Sequence, residues 1–211
     1  MKINFAFLDD LSERDAIRFY SSIDVLAHSS KIGESFGYTI AEAMAAKKPV
    51  VVNSTPLEDN AQIELVDNFK TGLIANSSQP YARAIGYLLN NKLEREEMGL
   101  AGYRKAKRNY DAPSTTRVLE KIYLELAIEK GIDLDDRVTS KYKDINYFPS
   151  REDIISFKGE YDKRLKESFG RQNLSYCLEV LGYKHLLNKP FLKERLKRSA
   201  YGIRRLETMM K

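Results

Sequence analysis

The sequence predicts an α/β fold, a parallel-sheet half-domain followed by a helical C-terminal extension. Three observations favour this class. Short apolar runs bounded by turn residues alternate with helical patterns as far as residue 75, and helical patterns continue to residue 130. Strands alternating with helices indicate a parallel sheet wrapped by helices. The last third of the 211-residue chain lacks strand patterns, and its residues 161–211 have helical periodicity. We therefore divide the chain into residues 1–130 and 131–211.

The predicted strands are four short apolar runs at residues 3–8, 23–27, 49–52 and 72–75. Runs of this length, rich in β-branched residues and bounded by polar or turn residues, are typical of strands buried in a parallel sheet. The first run is interpreted as a buried strand in the same way as the others.

Helices are predicted between and after these strands. Ser12, with Asp15 three residues on, can cap the first helix. Further helices are expected at residues 38–47, 63–66, 80–90, 93–110 and 113–130, the last beginning near Asp111 or Ser114. Residues 131–160 are charged and have only weak periodicity.

Composition limits the function classes. The formal charge of +5 and pI of about 9.1 are mildly basic and do not by themselves indicate a nucleic-acid-binding protein. Cys177 is the single cysteine, so an internal disulfide is impossible and a reducing, cytoplasmic environment is expected. Two histidines and one cysteine are too few and too scattered to predict a metal site.

One segment carries most of the chemical information. Glu34 and Glu42 lie eight positions apart, on either side of a turn that contains Gly37 and runs into a helix. Free N–H groups at a helix start attract anions such as phosphate, and a carboxylate one turn further can accept hydrogen bonds from sugar hydroxyls. The pattern predicts binding of a nucleotide diphosphate sugar.

Separated blocks of the sequence resemble a known family. They are Ile23–Ser30, Glu34–Gly37, Glu42–Ala45, Pro49–Val51, Ile63–Asn68 and Thr71–Ile74. In this order and spacing, residues 3–128 resemble the donor-binding half of retaining GT-B glycosyltransferases of family 4, the second of two Rossmann-like halves. The resemblance implies a nucleotide-sugar donor as substrate and no cofactor.

The resemblance also implies roles for individual residues. Glu42 would bind the ribose hydroxyls, and Glu34, assigned as the catalytic residue, would lie beside the donor sugar. Ser35 and the backbone of Phe36, Gly37 and Tyr38 would bind the donor, with the backbone N–H groups facing the diphosphate and sugar.

The sequence departs from the family pattern. Residues 1–211 include nothing that resembles the family's acceptor-binding N-terminal half, or the stretch that supplies an arginine and a lysine to the diphosphate. We therefore expect a missing N-terminal half as partner, little transfer by this chain alone, and an unknown glycan or lipid-linked acceptor. Lys47 stands where a glycine is common, and Ser54–Asn60 replaces a Gly-Gly pair, so base and sugar recognition stays open. Ser54, Asp59 and Asn60 either contact the ligand or form an ordinary polar loop.

Two other functions stay open. The chain could be a non-catalytic nucleotide-sugar-binding or partner-binding remnant. Gly33–Gly37 also fits the G-x-S-x-G elbow of serine hydrolases, with Ser35 as nucleophile and His185 as the downstream histidine, although residues 29–32 separate the motif from the preceding strand.

The C-terminal segment 184–211 carries nine basic and two acidic residues and an apolar stripe at helical spacing. A helix of this kind can lie on an anionic membrane surface or pack on the domain. Packing is the preferred interpretation. Weak contact with the inner face of the membrane is the alternative, and no nucleic acid is expected.

Overall fold

A computed structural model describes residues 4–145 and 151–186. Three parallel strands lie in the order β1 (Leu26–His28), β2 (Val50–Val52) and β3 (Gly72–Ile74). The register pairs Leu26 with Val50 and Val50 with Gly72. The α/β class and the parallel sheet are confirmed, and three of the four predicted strands form with bounds shifted by up to three residues.

Nine α-helices accompany the sheet in the described ranges: α1 (Glu13–Ser22), α2 (Tyr38–Ala45), α3 (Gln62–Leu65), α4 (Ser78–Asn90), α5 (Lys92–Tyr110), α6 (Ala112–Glu129), α7 (Asp136–Thr139), α8 (Arg151–Arg164) and α9 (Leu174–Leu186). A 3-10 turn, Ser140–Tyr142, follows α7. The side chain of Ser12 accepts the Asp15 N–H at the start of α1, and that of Asp111 accepts the Ser114 N–H at the start of α6. Both caps satisfy backbone donors that a helix start leaves without acceptors.

Both faces of the sheet are covered. Val50, Val52 and Ile74 pack in one cluster with residues of α1, α2 and α5, and this cluster includes Leu165. Val51 and Leu73 point to the opposite face and pack against α4 and Met98 of α5. Burial on both faces explains why β2 and β3 consist of continuous apolar residues.

The strand predicted at residues 3–8 is wrong over the described part. Residues 4–8 have no regular secondary structure, and the side chain of Phe7 is 90% exposed. The rings of Phe5 and Phe7 contact each other, with centroids 5.6 Å apart. An apolar run becomes a buried strand only where another strand or layer covers it, and none of the described elements covers this run.

The C-terminal region differs from its predicted pattern in two places. Helix α8 (Arg151–Arg164) lies largely inside the stretch with weak periodicity, and residues 165–173 are not helical although they fall in the range 161–211 that was expected to be helical. In this interruption the N–H of Phe169 donates to the carbonyl of Ile74 at 2.6 Å, and Gly170 has a φ of 83°. The segment therefore binds to the end of β3 instead of continuing α8. Most of segment 184–211 lies outside the described residues.

Lys47 has a φ of 60°, which is the left-handed conformation that glycine adopts without cost. Its ammonium group lies 5.2 Å from the centre of the Tyr103 ring. This cation–π contact offsets part of the conformational cost.

No helix in the described ranges is long and apolar enough to cross a membrane.

Candidate functional site

The first turn of α2 is open to a ligand. Gly37 caps the helix with φ 90° and ψ 61°, and its carbonyl accepts the N–H groups of Ile40 and Ala41, both at 3.1 Å. The preceding N–H groups, those of Tyr38 and Thr39, have no intrahelical acceptor. Their dipoles add to the positive end of the helix, so this turn can bind an anion.

Glu34 lies in the turn before α2 and faces the end of β1. Its Oε1 lies 3.0 Å from Nε2 of His28, the last residue of that strand. The other ring nitrogen of His28, Nδ1, lies 3.4 Å from the hydroxyl of Thr39. The Glu34 carboxylate is therefore anchored at the carboxyl end of the sheet, where open α/β sheets bind ligands.

A cavity of about 430 Å³ connects these groups. Its lining consists of Phe19, Tyr20, Leu26, His28, Glu34, Ser35, Phe36, Gly37, Tyr38 and Thr39. Five of the six predicted site residues line this cavity; the exception is Glu42. The lining includes no lysine or arginine.

Glu42 lies on the neighbouring side of α2. Its Oε2 accepts a hydrogen bond of 2.8 Å from the hydroxyl of Tyr20, which lines the first cavity. Burial and this bond to a carboxylate raise the pKa of Tyr20 to about 12. Glu42 itself lines a second cavity of about 700 Å³.

The two cavities share Phe36 and Tyr38 in their linings. These rings lie 4.9 Å apart, and the ring of Phe36 meets that of Tyr110 edge-on at 5.3 Å. Phe36 and Tyr38 therefore border both cavities.

The loop after β2 is an internally bonded polar loop. Asn60 is buried, and its Nδ2 donates to the hydroxyls of Ser54 and Tyr161, both at 3.1 Å. Asp59 is exposed. The side chains of Ser54 and Asn60 therefore hold the loop against α8, which favours the ordinary polar loop of the two alternatives.

Glu64 faces the extension rather than the first cavity. Its carboxylate borders a small space beside Tyr161 and Arg164, and its carbonyl accepts from Lys105 Nζ at 2.7 Å. Burial raises the pKa of Glu64.

The surroundings of Ser35 do not favour a nucleophile elbow. Strand β1 ends at His28, seven positions before Ser35, and the two ring nitrogens of His28 face Glu34 and Thr39. His185 side-chain atoms lie outside the described part of the structure. Within the described residues, no group of three or more histidine, cysteine, aspartate or glutamate side chains could hold a metal ion.

Sequence comparison identifies the relatives of this site. Residues 1–105 match the family model described as "Glycosyl transferases group 1". This half of the chain is related to the group 1 glycosyltransferases. The matched segment contains β1 to β3 and every residue of the first cavity.

The match to an individual relative covers only part of that relative's length. The spore coat protein SA of Bacillus subtilis (strain 168) is 26% identical over 125 residues, which are 58% of this chain and 32% of that protein. The chain thus spans about a third of the length of this curated relative.

Solved structures of the Anabaena protein HepE are also similar. The complex with UDP-glucose is 25% identical, with a TM-score of 0.44 over 47% of this chain and 27% of that chain. The complex with UDP and glucose is 24% identical, with a TM-score of 0.47 over 52% and 29%.

Three residues at the site had no role in the sequence-based hypothesis: His28, Tyr20 and Gln62. His28 is bonded locally to Glu34 and also lines the first cavity. Tyr20 had a weak signal, since a tyrosine on an apolar helix face usually brings its hydroxyl to a partner. Gln62 accepts the N–H of Glu34 at its Oε1, and this pair gave no local signal because the two residues lie 28 positions apart.

Proposed function

We propose that this chain binds the nucleotide-sugar donor of a retaining glycosyltransferase of family 4 at the first cavity. The observation that carries the proposal is the open first turn of α2 beside the Glu34 carboxylate, within a segment related to group 1 glycosyltransferases.

The geometry supports a division of roles. The diphosphate binds at the backbone of Phe36, Gly37 and Tyr38, where N–H groups point out of the helix. Glu34 lies beside the donor sugar as the catalytic residue, with Ser35 in the same turn. The ribose hydroxyls reach Glu42, whose carboxylate is held by Tyr20. The nucleotide sugar then runs past Phe36 and Tyr38 between the two cavities.

Transfer needs more than this chain supplies. A leaving diphosphate is stabilised by cations in the transition state, and the first cavity is lined by none. We propose that an N-terminal half contributes these cations and the acceptor site, and that this chain alone transfers sugar slowly or not at all. Turnover assays with UDP-, GDP- and ADP-sugars test this; transfer at ordinary enzyme rates would contradict it.

Titration calorimetry with the same donors tests the binding site. A carboxylate that accepts from ribose hydroxyls makes charge-assisted bonds worth roughly 1.5–3 kcal/mol. Glu42→Ala is therefore expected to weaken nucleotide binding more than tenfold. Ser35→Ala should change it little, and Glu97→Ala on α5 is the matched carboxylate control. Loss of activated-ester hydrolysis in Ser35→Ala, with Glu42→Ala silent, would establish the hydrolase instead.

The remaining proposals concern organisation. We propose a donor-binding unit at residues 1–130 with a helical extension at 131–211, no cofactor besides the donor, and a cytoplasmic protein whose segment 184–211 packs on the domain. A chain ending at Tyr183 should melt at a lower temperature. Strong, salt-sensitive co-sedimentation of the full chain with anionic liposomes would favour the membrane surface.

A further inference from the structure

We propose that Gln62 is a positioning residue for Glu34, and that helix α8 of the extension contributes to this positioning through Tyr161. The inference deepens the proposed function, because it assumes that Glu34 faces the donor sugar. It assigns to the extension a part in shaping a site that the extension does not line.

The backbone of Glu34 is bound from two sides. Its N–H donates to Oε1 of Gln62 at 3.2 Å, and its carbonyl accepts the N–H of Ala61 at 2.9 Å. The preceding residue, Gly33, has a φ of 75°, and a Cβ there would lie 1.5 Å from the carbonyl oxygen of Asp59. The turn that carries Glu34 is therefore docked on residues 59–62.

Gln62 is fully buried and uses both ends of its amide. Because the Glu34 N–H can only donate, the amide atom facing it is the oxygen. The Nε2 group then faces the hydroxyl of Thr55 and donates to it at 2.8 Å, and this hydroxyl donates to the carbonyl of Asp59 at 2.6 Å. A buried amide is stable only with such partners, so its orientation is fixed.

The side chain of Glu34 completes the arrangement. With its backbone held by Gln62 and Ala61, its carboxylate reaches Nε2 of His28 at 3.0 Å and lines the first cavity. Gln62 thus acts on the carboxylate indirectly, through the backbone of the same residue.

The extension closes the network from outside. The N–H of Thr55 donates to Oδ1 of Asn60 at 2.9 Å, and Nδ2 of Asn60 donates to the hydroxyl of Tyr161 at 3.1 Å. Tyr161 lies on α8, 101 positions after Asn60. The path from α8 to Glu34 runs through Asn60, Thr55 and Gln62.

Histidine NMR tests the positioning without any ligand. The chain has two histidines, so His185 serves as an internal reference for the ring nitrogens of His28. Gln62→Met keeps the length of the side chain and removes both hydrogen bonds. We expect it to shift the His28 ring ¹⁵N signals in the same direction as Glu34→Gln, with those of His185 unchanged.

Tyr161→Phe is a second, milder variant that keeps the test valid if Gln62→Met does not fold, because it removes one hydroxyl only. We expect a shift of His28 in the same direction and less than half as large. The matched control is Tyr183→Phe, since the ring of Tyr183 lies 5.7 Å from that of Tyr161. Unchanged His28 signals in both Gln62→Met and Tyr161→Phe would overturn the proposal.

Binding measurements then separate this role from a general structural one. The probes are UDP-glucose against UDP and GDP-mannose against GDP. Gln62→Met should reduce the affinity gained from the sugar at least threefold and leave the affinity for the free nucleotide within twofold. Equal losses for nucleotide and nucleotide sugar would overturn the proposal. If the wild-type chain binds none of the four, the proposed function fails, and the NMR result alone decides the positioning role.

Discussion

The two edges of the sheet differ in how they are closed. At the β3 edge, the Phe169 N–H donates to Ile74 O, the Ile74 N–H donates to Asn68 Oδ1, and all three strand residues are buried. At the β1 edge, Ala27 is exposed and Leu26 and His28 are only half-buried. The candidate donor site lies at the β1 edge. The fold thus closes the β3 edge with hydrogen bonds and burial and leaves the β1 edge exposed for binding.

Ion pairs also fix the β3 side. On the closed side, Asp67 Oδ1 lies 3.0 Å from Lys105 Nζ and 2.7 Å from an Arg164 nitrogen. Burial lowers the pKa of Lys105, although Asp67 opposes this shift. Arg164 also donates to the carbonyls of Ile63 and Glu64, so the end of α8 is fixed to α3.

The largest loss of stability is expected at Gly33, which joins the open edge to the loop after β2. Gly33→Ala places a Cβ 1.5 Å from Asp59 O in a backbone with positive φ. Strain of this type and the forced shift of backbone should together cost about 4 kcal/mol of unfolding free energy. Chemical denaturation measures it. Gly131→Ala, with a φ of 76° and open space around it, is the matched control; equal losses would show that the clash is relieved.

The closed side is tested at Leu165. This fully buried side chain belongs to the cluster around Val50 and Ile74. Leu165→Ala should lower the unfolding free energy by about 3 kcal/mol, because it leaves a cavity. The exposed Leu174 provides the control, and Leu174→Ala should change stability by less than about 0.5 kcal/mol. A small effect of Leu165→Ala would mean that the extension adds little to the core.

Tyrosine titration compares the two sides directly. Burial raises the pKa of Tyr161 to about 12, on the closed side, and burial with the bond to Glu42 does the same for Tyr20 near the open edge. Between pH 10 and 12 the unfolded chain loses these protons while the folded chain keeps them, so stability falls as pH rises.

Tyr161→Phe and Tyr20→Phe should each flatten this fall and cost about 1 kcal/mol at pH 7 through the lost hydrogen bond. Denaturant midpoints measured from pH 8 to pH 12 provide the comparison. Tyr123→Phe, at an exposed position on α6, is the control and should follow the wild type. If both variants lose stability with rising pH as steeply as the wild type, the raised pKa values of Tyr161 and Tyr20 are contradicted.

The smallest effect is expected at the N-terminal run of the open side. Phe7→Ser should change the unfolding free energy by less than about 0.5 kcal/mol, since the side chain is almost fully exposed. Thermal melts measure this. A loss above about 2 kcal/mol would show that residues 4–8 are covered in solution and would restore the predicted strand.

Sequence reasoning succeeded where the determinants are local. Ser12 caps the helix that it was expected to cap, and Asp111, one of the two residues expected near the start of α6, caps that helix. The apolar run Val50–Val52 forms the central strand. It failed at residues 4–8, because the burial of an apolar run depends on what covers it. It also missed the break at residues 165–173, where a contact with Ile74 replaces helix continuation.

The site shows the same limit. The turn and helix that carry Glu34 and Glu42 could be located from spacing and glycine content, and five predicted residues share one cavity. The anchoring of Glu34 by Gln62 could not be predicted from the sequence, since their hydrogen bond joins positions 28 apart. The hydrogen bond of Asn60 to Tyr161 joins positions 101 apart, and no local sequence pattern predicts such a pair.

That separation has a consequence for biosynthesis. Ribosomes add roughly 5–20 residues per second, so Asn60 leaves the peptidyl-transferase centre about 5–20 s before Tyr161 is even polymerised. During this interval the nascent polypeptide can fold its sheet while the loop after β2 lacks its final hydrogen bond. A chaperone or partner that binds cotranslationally therefore meets this loop before Asn60 has bonded to Tyr161.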